Sequence, residues 1–561
     1  MKPVRIILAI AGIVGPAAAT DGQITEWSAS PGVQEDWFTP SNWTNGVPDI
    51  GTSARINNGG IAGIAGTAAE ARVLFLGLDG GSGSLHVVNA DLVLDFAGFL
   101  GWGRFGLESR GSITASNATV NGGFDTGLVH GSGVGIGSLE LVDSELTTSG
   151  IGVGITSVSG VGGQTGFSAS SFLFDDISAP ITSEGASGFN LIAGSTTVNG
   201  PASTGTSSGT VSIAASQVNG INSLIAGAAT ATQSGDLAEA SANILIDAAS
   251  VSFAGSAPGM TIGAALPGED ATSRVEAANL TLRNAVVTGV NLLGVGIVSA
   301  LGANANGFAD GSLTLESSSL EAVGGNIGSM ENGPGVDPMI AACGRIDLTD
   351  STLQFSDSAI VGKHTDFSSG IGTPSGTVSL TRSTLVVSND LTVGSDSTLV
   401  FDIGGTARGT AYGTVDAGTA LLEGDIEVQF TYAPQPGDFF DLVVTASPTG
   451  MLDGIPPFSF SGGGVSELAG GIGLNSESNQ VFRVGLIPRP EIVEFGLSND
   501  LICITISNLL AQNSYRIEQA SNVSSNLWVE LGAFVASGIE TAWYGSATGS
   551  IEQAGIRIST P

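Results

Sequence analysis

Three histidines and two cysteines are the residues of this sequence best suited to metal or nucleophilic chemistry. His86, His130 and His364 fall in different parts of the chain, and no His-x-x-x-His or Cys-x-x-Cys spacing occurs. Zinc sites and catalytic triads need such side chains close together, so we expect neither. Cys343 and Cys503 fall in different predicted domains and are expected to be free thiols rather than a disulfide. His364 belongs to the densest ionisable group of the central region, Lys363-His364-Thr365-Asp366, which we interpret as a solvated loop.

Acidic residues are the more abundant candidates for chemistry. Hydrolysis of a glycosidic bond uses two carboxyl groups about 5–10 Å apart. The nearest candidates are Asp175 with Asp176 and Asp347 with Asp350. Among 51 acidic residues such pairs arise by chance, so we identify no catalytic residue and predict a protein that is not an enzyme.

The sequence has no motif for a resident cofactor or for tight calcium binding. No Asp-x-Asp-x-Asp-Gly loop and no Gly-Gly-x-Gly-x-Asp nonapeptide repeat is present. Four loop acids remain as weak calcium candidates: Asp236, Glu239, Glu269 and Asp270.

Two tryptophans near the N-terminus are the candidates for ligand contact. Trp37 and Trp43 bracket the segment Trp37-Phe-Thr-Pro-Ser-Asn-Trp43. The first interpretation is an aromatic cap, because the end of a repeat protein exposes unpaired backbone and core. The second is a platform on which sugar rings stack.

A short phrase recurs through the middle of the chain: small-small-apolar-x-apolar-x-x-Ser/Ala-x-apolar. Its copies begin at residues 137, 170, 209, 242, 278, 311, 344 and 376. Such a period is typical of repeat proteins, in which each unit buries its apolar face against its neighbours. Alternation within the phrase predicts strands with Leu, Ile and Val inward and Ser, Thr and Glu outward. The sequence therefore predicts an all-β fold: a right-handed parallel β-helix (β-solenoid) followed by a small C-terminal β-sandwich.

Each unit is predicted to contain three short strands, the third ending in an apolar-small-Gly phrase. Glycine at a recurring phase fits a tight corner where a side chain would clash. After residue 376 the next strand begins near 397, so the bare coil has about 21 residues and longer units carry about a dozen more. We expect these extra residues to project as loops from one side, where recognition would lie. They are residues 156–168, 228–241, 266–277, 298–310, 330–342 and 363–375.

Charge and the N-terminal segment restrict the setting in which the protein acts. The net charge is −35 with 16 Lys and Arg residues, which excludes nucleic acid as a partner. Residues 1–19 carry Lys2 and Arg5, then an apolar run at 6–14, then three alanines at 17–19. This order predicts a cleaved signal peptide, and nine apolar residues are too few to span a bilayer. We expect no transmembrane segment after cleavage, and a location outside the cell or on the surface of a Gram-negative-type bacterium.

Composition and turn signals divide the chain further. The predicted segments are the signal peptide (1–19), an N-terminal cap (20–58), the β-helix repeats (59–400), a C-terminal solenoid or β extension (401–487), a linker (488–490) and the β-sandwich module (491–561).

Both ends resemble a known class of exported proteins. The segment Leu399-Val-Phe-Asp-Ile-Gly-Gly-Thr406, with Gly409-Thr-Ala-Tyr412 and the stretch that runs to Val443, resembles the end of autotransporter-like β-helix passengers and of exported bacterial proteins of the PEP-CTERM kind. Asn42-Trp43 with Gly46-Val47-Pro48 resembles the start of such proteins. The tail, with Tyr515-Arg-Ile-Glu-Gln and Asn526-Leu-Trp528, resembles a small C-terminal β-sandwich module of similar proteins. The resemblance implies architecture and export and supplies no catalytic residue.

Together these features predict a secreted, non-enzymatic β-solenoid with an adhesive or structural role, whose partners are surface or matrix glycans or proteins. One alternative is a carbohydrate-active β-helix enzyme, either a polysaccharide lyase or a hydrolase. Clustered carboxylates with Arg or Lys on an outward strand face would favour that enzyme, whereas small Ser, Thr and Ala side chains would favour the structural role. A second alternative is an ice- or crystal-binding solenoid, which needs a flat, regular threonine lattice. The sequence leaves the oligomeric state open.

Overall fold

The computed structural model describes most of the chain as β-strand. The described residues are 23–159, 163–184, 188–255, 258–300, 303–332, 339–362, 364–365, 371–435, 438–445, 452–453, 457–462, 468–474, 479–486, 491–498, 501–507, 514–520, 529–535, 540–546 and 555–559. The predicted signal peptide and the predicted linker at 488–490 lie outside them. Helix in the described residues is confined to a 3-10 turn at Pro40–Asn42.

The strands before the longest coils are β1 (Gln23–Glu26), β2 (Gln34–Asp36), β3 (Thr52–Ile56), β4 (Asn58–Ala65), β5 (Ala69–Leu78), β6 (Ser82–Val88), β7 (Asp91–Trp102), β8 (Glu108–Ser116), β9 (Thr119–His130), β10 (Gly133–Val142), β11 (Glu145–Thr148) and β12 (Gly150–Ser159). The central strands are β13 (Thr165–Ser183), β14 (Phe189–Asn199), β15 (Thr204–Ala231), β16 (Leu237–Phe253), β17 (Gly259–Pro267), β18 (Thr272–Arg283), β19 (Val286–Ala300), β20 (Asn306–Glu316), β21 (Ser319–Asn332), β22 (Met339–Thr349), β23 (Thr352–Phe355), β24 (Ala359–Val361), β25 (His364–Thr365), β26 (Ile371–Thr381) and β27 (Thr384–Val393). The remaining strands are β28 (Thr398–Ile403), β29 (Thr414–Leu422), β30 (Asp425–Phe430), β31 (Phe439–Thr445), β32 (Leu452–Asp453), β33 (Phe458–Gly462), β34 (Leu468–Leu474), β35 (Gln480–Leu486), β36 (Glu491–Ser498), β37 (Leu501–Ser507), β38 (Ser514–Ala520), β39 (Val529–Val535), β40 (Glu540–Ser546) and β41 (Gly555–Ser559).

Copies of the recurring phrase stack directly on one another and form the first of three parallel sheets. Gly137 lies beside Ser170, and Ser170 lies beside Gly209. The same column continues through residues 242, 278, 311, 344 and 376. Thr377 lies beside Thr398, so the last of these coils is the short one. The predicted repeat and the all-β solenoid fold are therefore confirmed.

The other two sheets complete each coil. The second sheet consists of the strand segments that come after each copy of the phrase and its corner. Examples are β11, β23 and the start of β27. The third sheet stacks β12, β14, the end of β15 and β17. Side chains alternate as the sequence predicts: on β10, Leu139 and Leu141 are buried inside the coil, whereas Ser138 and Glu140 face outward.

The Ser/Ala position of the phrase forms the corner between the first and second sheets. The Oγ atoms of Ser318 and Ser351 accept hydrogen bonds from the N–H groups of Ala285 and Ser318, at 3.0 Å each, and the Oγ of Ser383 accepts one from the N–H of Ser351 at 2.9 Å. Each of these three hydroxyls also donates to the carbonyl two residues before it in its own coil. This ladder satisfies corner N–H groups that would otherwise be buried without partners.

The glycine that ends each apolar-small-Gly phrase allows a strand of the third sheet to approach a strand of the first sheet closely. We call this narrow part of each coil the waist. Gly194, Gly296 and Gly328 have φ of +59°, +61° and +58°, the left-handed region. A Cβ on Gly296 would lie 2.0 Å from the carbonyl oxygen of Cys343, the residue just before the copy of the phrase that begins at Gly344. The recurring glycines on both sides of the waist therefore have one cause, which is the close approach of two backbones.

Where the structure describes the extra residues of the longer coils, most of them are paired strands joined by short turns, so the expectation of projecting loops was wrong for these residues. Beyond the waist, residues 228–231 run outward beside 264–267, and residues 237–241 return beside 204–208. We call this double layer the wing. Its layers pack through small side chains: a separate apolar cluster is formed by Ala265, Val298, Ala300, Ala305, Ala309, Met330, Ile340 and Ala342. In earlier coils, hydroxyl pairs join the layers, with Oγ1–Oγ distances of 2.8 Å for Thr156–Ser168 and 2.7 Å for Thr196–Ser207.

The last strands close the solenoid and then give way to a different arrangement. β31, β35 and β34 pair antiparallel at the C-terminal end of the large sheet. β36, β37 and β40 form one antiparallel sheet, and β38, β39 and β41 form another. Ile504, Ile506, Tyr515 and Ile517, drawn from both small sheets, form one buried cluster. This packing agrees with the predicted C-terminal β-sandwich.

Candidate functional site

The outward face of the first sheet carries a column of small polar side chains. Strand register places the following residues in line: Ser84, Ser112, Ser138, Ser171, Thr210, Asn243, Asn279, Ser312, Arg345, Thr377 and Thr398. We call this line the hydroxyl column. It exists because the outward position after the waist glycine is short and polar in almost every copy of the phrase.

A groove of about 460 Å³ lies along the first part of this column. One wall is made by Ser84, Ser112, Ser138 and Ser171, and the floor is glycine backbone at the waist. The other wall is made by Arg110, Ile136 and Ala169 on the adjoining strands. The groove therefore runs across β6, β8, β10 and β13, where strands bend from the first sheet towards the wing.

The wing-side wall continues into apolar side chains. Val134 and Phe167 are the next outward residues on the strands of Ile136 and Ala169, and they lie side by side. Phe167 is 40% exposed, which is high for a phenylalanine with neighbours on both sides in its column. An apolar wall opposite a row of hydroxyls is an arrangement that can hold a ligand with one apolar and one polar side.

Hydrogen bonding and charge in the groove are local. The hydroxyls of Ser84 and Ser112 are 2.8 Å apart, and the Oγ of Ser170 accepts the N–H of Gly137 at 3.2 Å. Arg110 pairs with Glu108 at 2.5 Å, on the same strand. A guanidinium has five N–H donors, so donors remain beyond that pair. The described groove lining contains no carboxylate, so it offers hydrogen bonds and a cation but no acid–base pair.

Three of the four carboxylates considered for hydrolysis, those of Asp176, Asp347 and Asp350, serve local structure. Asp176 accepts hydrogen bonds from the Ser178 hydroxyl and N–H at 2.7 and 2.8 Å, and the hydroxyl is the main reason that its pKa is lowered. Asp347 pairs with Arg345 at 2.6 Å on one strand, and Asp350 pairs with Arg382 of the next coil at 2.6 Å. The hydrogen bond from Arg382 lowers the pKa of Asp350. The lowered pKa values of Asp176 and Asp350, and the bound partners of all three carboxylates, suit stabilising roles rather than proton transfer.

The four calcium candidates are not brought together. Asp236 is buried at a wing turn, where its carboxylate accepts the N–H groups of Gln233, Ser203 and Gly200 at 2.9, 3.3 and 3.4 Å. Asp270 lies at the next turn and accepts the Asn304 amide at 2.9 Å, beside the exposed Glu269. Glu239 lies on the wing face opposite Thr206. In the described part of the chain no group of three or more His, Cys, Asp or Glu residues could hold a metal.

Trp37 and Trp43 form the interior of the N-terminal cap. Trp37 is fully buried, and Trp43 is 4% exposed. The ring of Trp43 lies edge-on to Trp37 at 4.8 Å and to Trp27 at 4.9 Å, and its Nε1–H donates to the Trp37 carbonyl at 2.7 Å. Their faces are covered by protein, so the cap interpretation fits and the sugar-stacking interpretation does not.

The histidines do not share a site in the described residues. His86 lies at the N-terminal end of the first sheet, where its Nδ1 is 3.0 Å from the Gln34 amide oxygen. His130 is exposed at the end of β9. Residues 363 and 366 and the side chains of His364 and Thr365 lie outside the described part.

Sequence reasoning missed one carboxyl group altogether. Asp125 lies on the outer surface of the third sheet, in line with Phe99 and Gly152. Burial raises its pKa to about 6. The sequence around it, Gly-Gly-Phe-Asp-Thr-Gly, has no motif, and only the register between coils shows that its neighbours are apolar.

Comparison with protein-family models, with curated proteins and with solved structures finds no match to this chain. No helix in the described residues has the length and apolar character needed to cross a membrane.

Proposed function

We propose that this chain is a secreted, non-enzymatic β-solenoid that acts as an adhesive or structural protein at the surface or in the matrix of a Gram-negative-type bacterium. The observation that carries the proposal is the hydroxyl column, because small polar side chains occupy the outward face on which an enzyme would present grouped acids and bases. Export rests on the basic, apolar and small-residue order of positions 1–19.

The groove at the first part of the column is the proposed contact site. Rows of hydroxyls and backbone groups opposite Ile136 and Phe167 suit a neutral glycan, whose ring edges hydrogen-bond and whose faces are apolar. A net charge of −35 disfavours strongly anionic polymers. The same column argues against an ice-binding lattice, because asparagine and arginine interrupt its Ser and Thr residues.

A glycan array run beside a polysaccharide-degradation screen tests the proposal on the chain without residues 1–19. We expect retention of neutral glycans and no turnover. Phe167→Ala should weaken retention about tenfold or more, since it removes the exposed part of the apolar wall. Phe308→Ala is the matched control, because Phe308 occupies the same column four coils further on.

The protein would be an enzyme if it degraded any polysaccharide and if Asp347→Asn, or another single carboxylate substitution, abolished that degradation. If neither Phe167→Ala nor Phe308→Ala changed the retention of glycans, the contact site would not be the groove.

A further inference from the structure

The outer side of the waist, opposite the groove, forms a concave corner along the coils. At this corner, the side chain two positions before each left-handed glycine faces the side chain one position after that glycine. In the first coils this corner is a buried apolar cluster: Val73, Phe75, Leu78, Phe99, Trp102, Leu128 and Ile155. The rings of Phe75 and Phe99 stack at 5.5 Å, and Phe99 and Trp102 lie 5.4 Å apart.

Asp125 is the acidic member of this corner. Strand register places Phe75, Phe99, Asp125, Gly152 and Ile192 in one line. The corner is otherwise built from apolar side chains, so this carboxyl group occupies a position where an apolar side chain would pack.

The missing side chain at Gly152 makes room for the carboxyl group. A Cβ on Gly152 would lie 2.3 Å from Oδ1 of Asp125 and 2.5 Å from Cδ1 of Ile155. The carboxyl group and the Ile155 side chain therefore share the space above Gly152. Asp125 retains partial solvent exposure, whereas Leu128 and Ile155 are buried.

No cation faces Asp125 from the strands packed against it. β12 and β14 contain no ionisable residue. β7 contributes Asp91 and Asp95, both exposed on its first half, and Arg104 beyond its end pairs with Asp79. His130 is exposed at the far end of β9. Within the described residues Asp125 has neither a hydrogen bond nor an ion pair, and burial raises its pKa.

We propose that Asp125 makes this corner an acid-stabilised joint between the β9 and β12 coils. When the carboxyl group is neutral it packs as an uncharged group against Leu128 and Ile155. When it is ionised, the apolar corner must hold a charge without a partner, so the corner opens more readily. A mildly acidic environment therefore tightens the solenoid where the wing begins.

The direction in which pH changes the stability of the corner follows from proton binding. The pKa of this acid is higher in the closed corner than its ordinary value of 3.8, so the closed state binds more protons between pH 3.8 and about 6. Stability of the corner therefore rises as the pH falls through about 6 and is complete below 3.8.

Hydrogen exchange on the full chain, read by mass spectrometry on peptides from 119–130 and 150–159, tests the proposal. After correction for intrinsic exchange, the opening equilibrium of these peptides should fall about ten- to a hundredfold between pH 7.5 and pH 4.5. Asp125→Asn should remove most of that change. Asp95→Asn is the control, because it removes an exposed carboxyl group from the neighbouring strand and the same unit of net charge.

Equal pH dependence in Asp125→Asn and in the unmodified chain would overturn the proposal. If Asp125→Asn does not fold, the unmodified chain still decides the question. Peptides 119–130 and 150–159 must gain protection at acid pH beyond that of peptides from β26, which contains no ionisable side chain, and equal gains would also overturn the proposal.

Discussion

Gly296 shows what a single residue does at the waist of this solenoid. Its φ of +61° strains any residue with a Cβ, and the carbonyl oxygen of Cys343 occupies the place where the Cβ would be. Gly311, in the facing column, would place a Cβ 2.2 Å from the carbonyl oxygen of Ile262. The sequence revealed these positions as recurring glycines and predicted a tight corner. It did not reveal that two glycine columns face each other, because that contact joins residues many positions apart.

We predict that Gly296→Ala lowers the free energy of unfolding of the solenoid by about 2–5 kcal/mol, the sum of left-handed strain and a backbone clash. Urea unfolding followed by circular dichroism measures it. Gly163→Ala is the control: Gly163 has φ of +79° and nothing within 4 Å of its would-be Cβ, so strain alone should cost about 1–2 kcal/mol. Equal losses in the two variants would show that the waist contact contributes nothing.

The wing is the element that the sequence described least well. Its strands are rich in Ala, Gly, Ser and Thr, the composition of a loop, and its core is formed mainly by alanine, with few of the Leu and Ile residues that identify the other strands. Alternating alanines were the available signal: Ala238 and Ala240 are buried on the returning strand, and Ala229 and Ala231 on the outgoing one. The groove was missed for a related reason, since its walls come from four coils and no single copy of the phrase contains it.

We predict that the wing behaves as packed structure and not as loops, so that a cavity in its core lowers stability. Met330 is fully buried in the wing cluster, and its Cε lies 2.3 Å from where a Cβ on Gly372 would be. Met330→Ala leaves a cavity and should cost about 2–5 kcal/mol. Limited proteolysis should then cut within 298–332 in the variant and spare that region in the unmodified chain. Val323→Ala, at a residue 44% exposed, is the control and should change neither quantity. Rapid cleavage there in the unmodified chain would contradict the prediction.

At the scale of the whole molecule, two kinds of β-structure follow one another along the chain. Parallel stacking gives the solenoid one continuous core, from Trp37 in the cap to Phe440 near its end. The antiparallel sheets at the C-terminus have their own cluster around Tyr515. Both architectures were predicted from the sequence, because hydrophobic alternation and a repeat period are local signals. The boundary predicted at 488–490 stays a prediction, since it lies outside the described residues.

Separate cores predict separate unfolding transitions. In the solenoid each coil is stabilised by its neighbours, so loss of the cap should propagate through it. Trp37→Ala removes a fully buried indole and should lower the melting temperature of the solenoid transition, while leaving the second transition unchanged. Tyr515→Ala should do the reverse, because Tyr515 is buried only in the sandwich cluster. Differential scanning calorimetry of the full chain measures both transitions. A single transition that both substitutions shift by the same amount would mean that the two cores unfold as one cooperative unit.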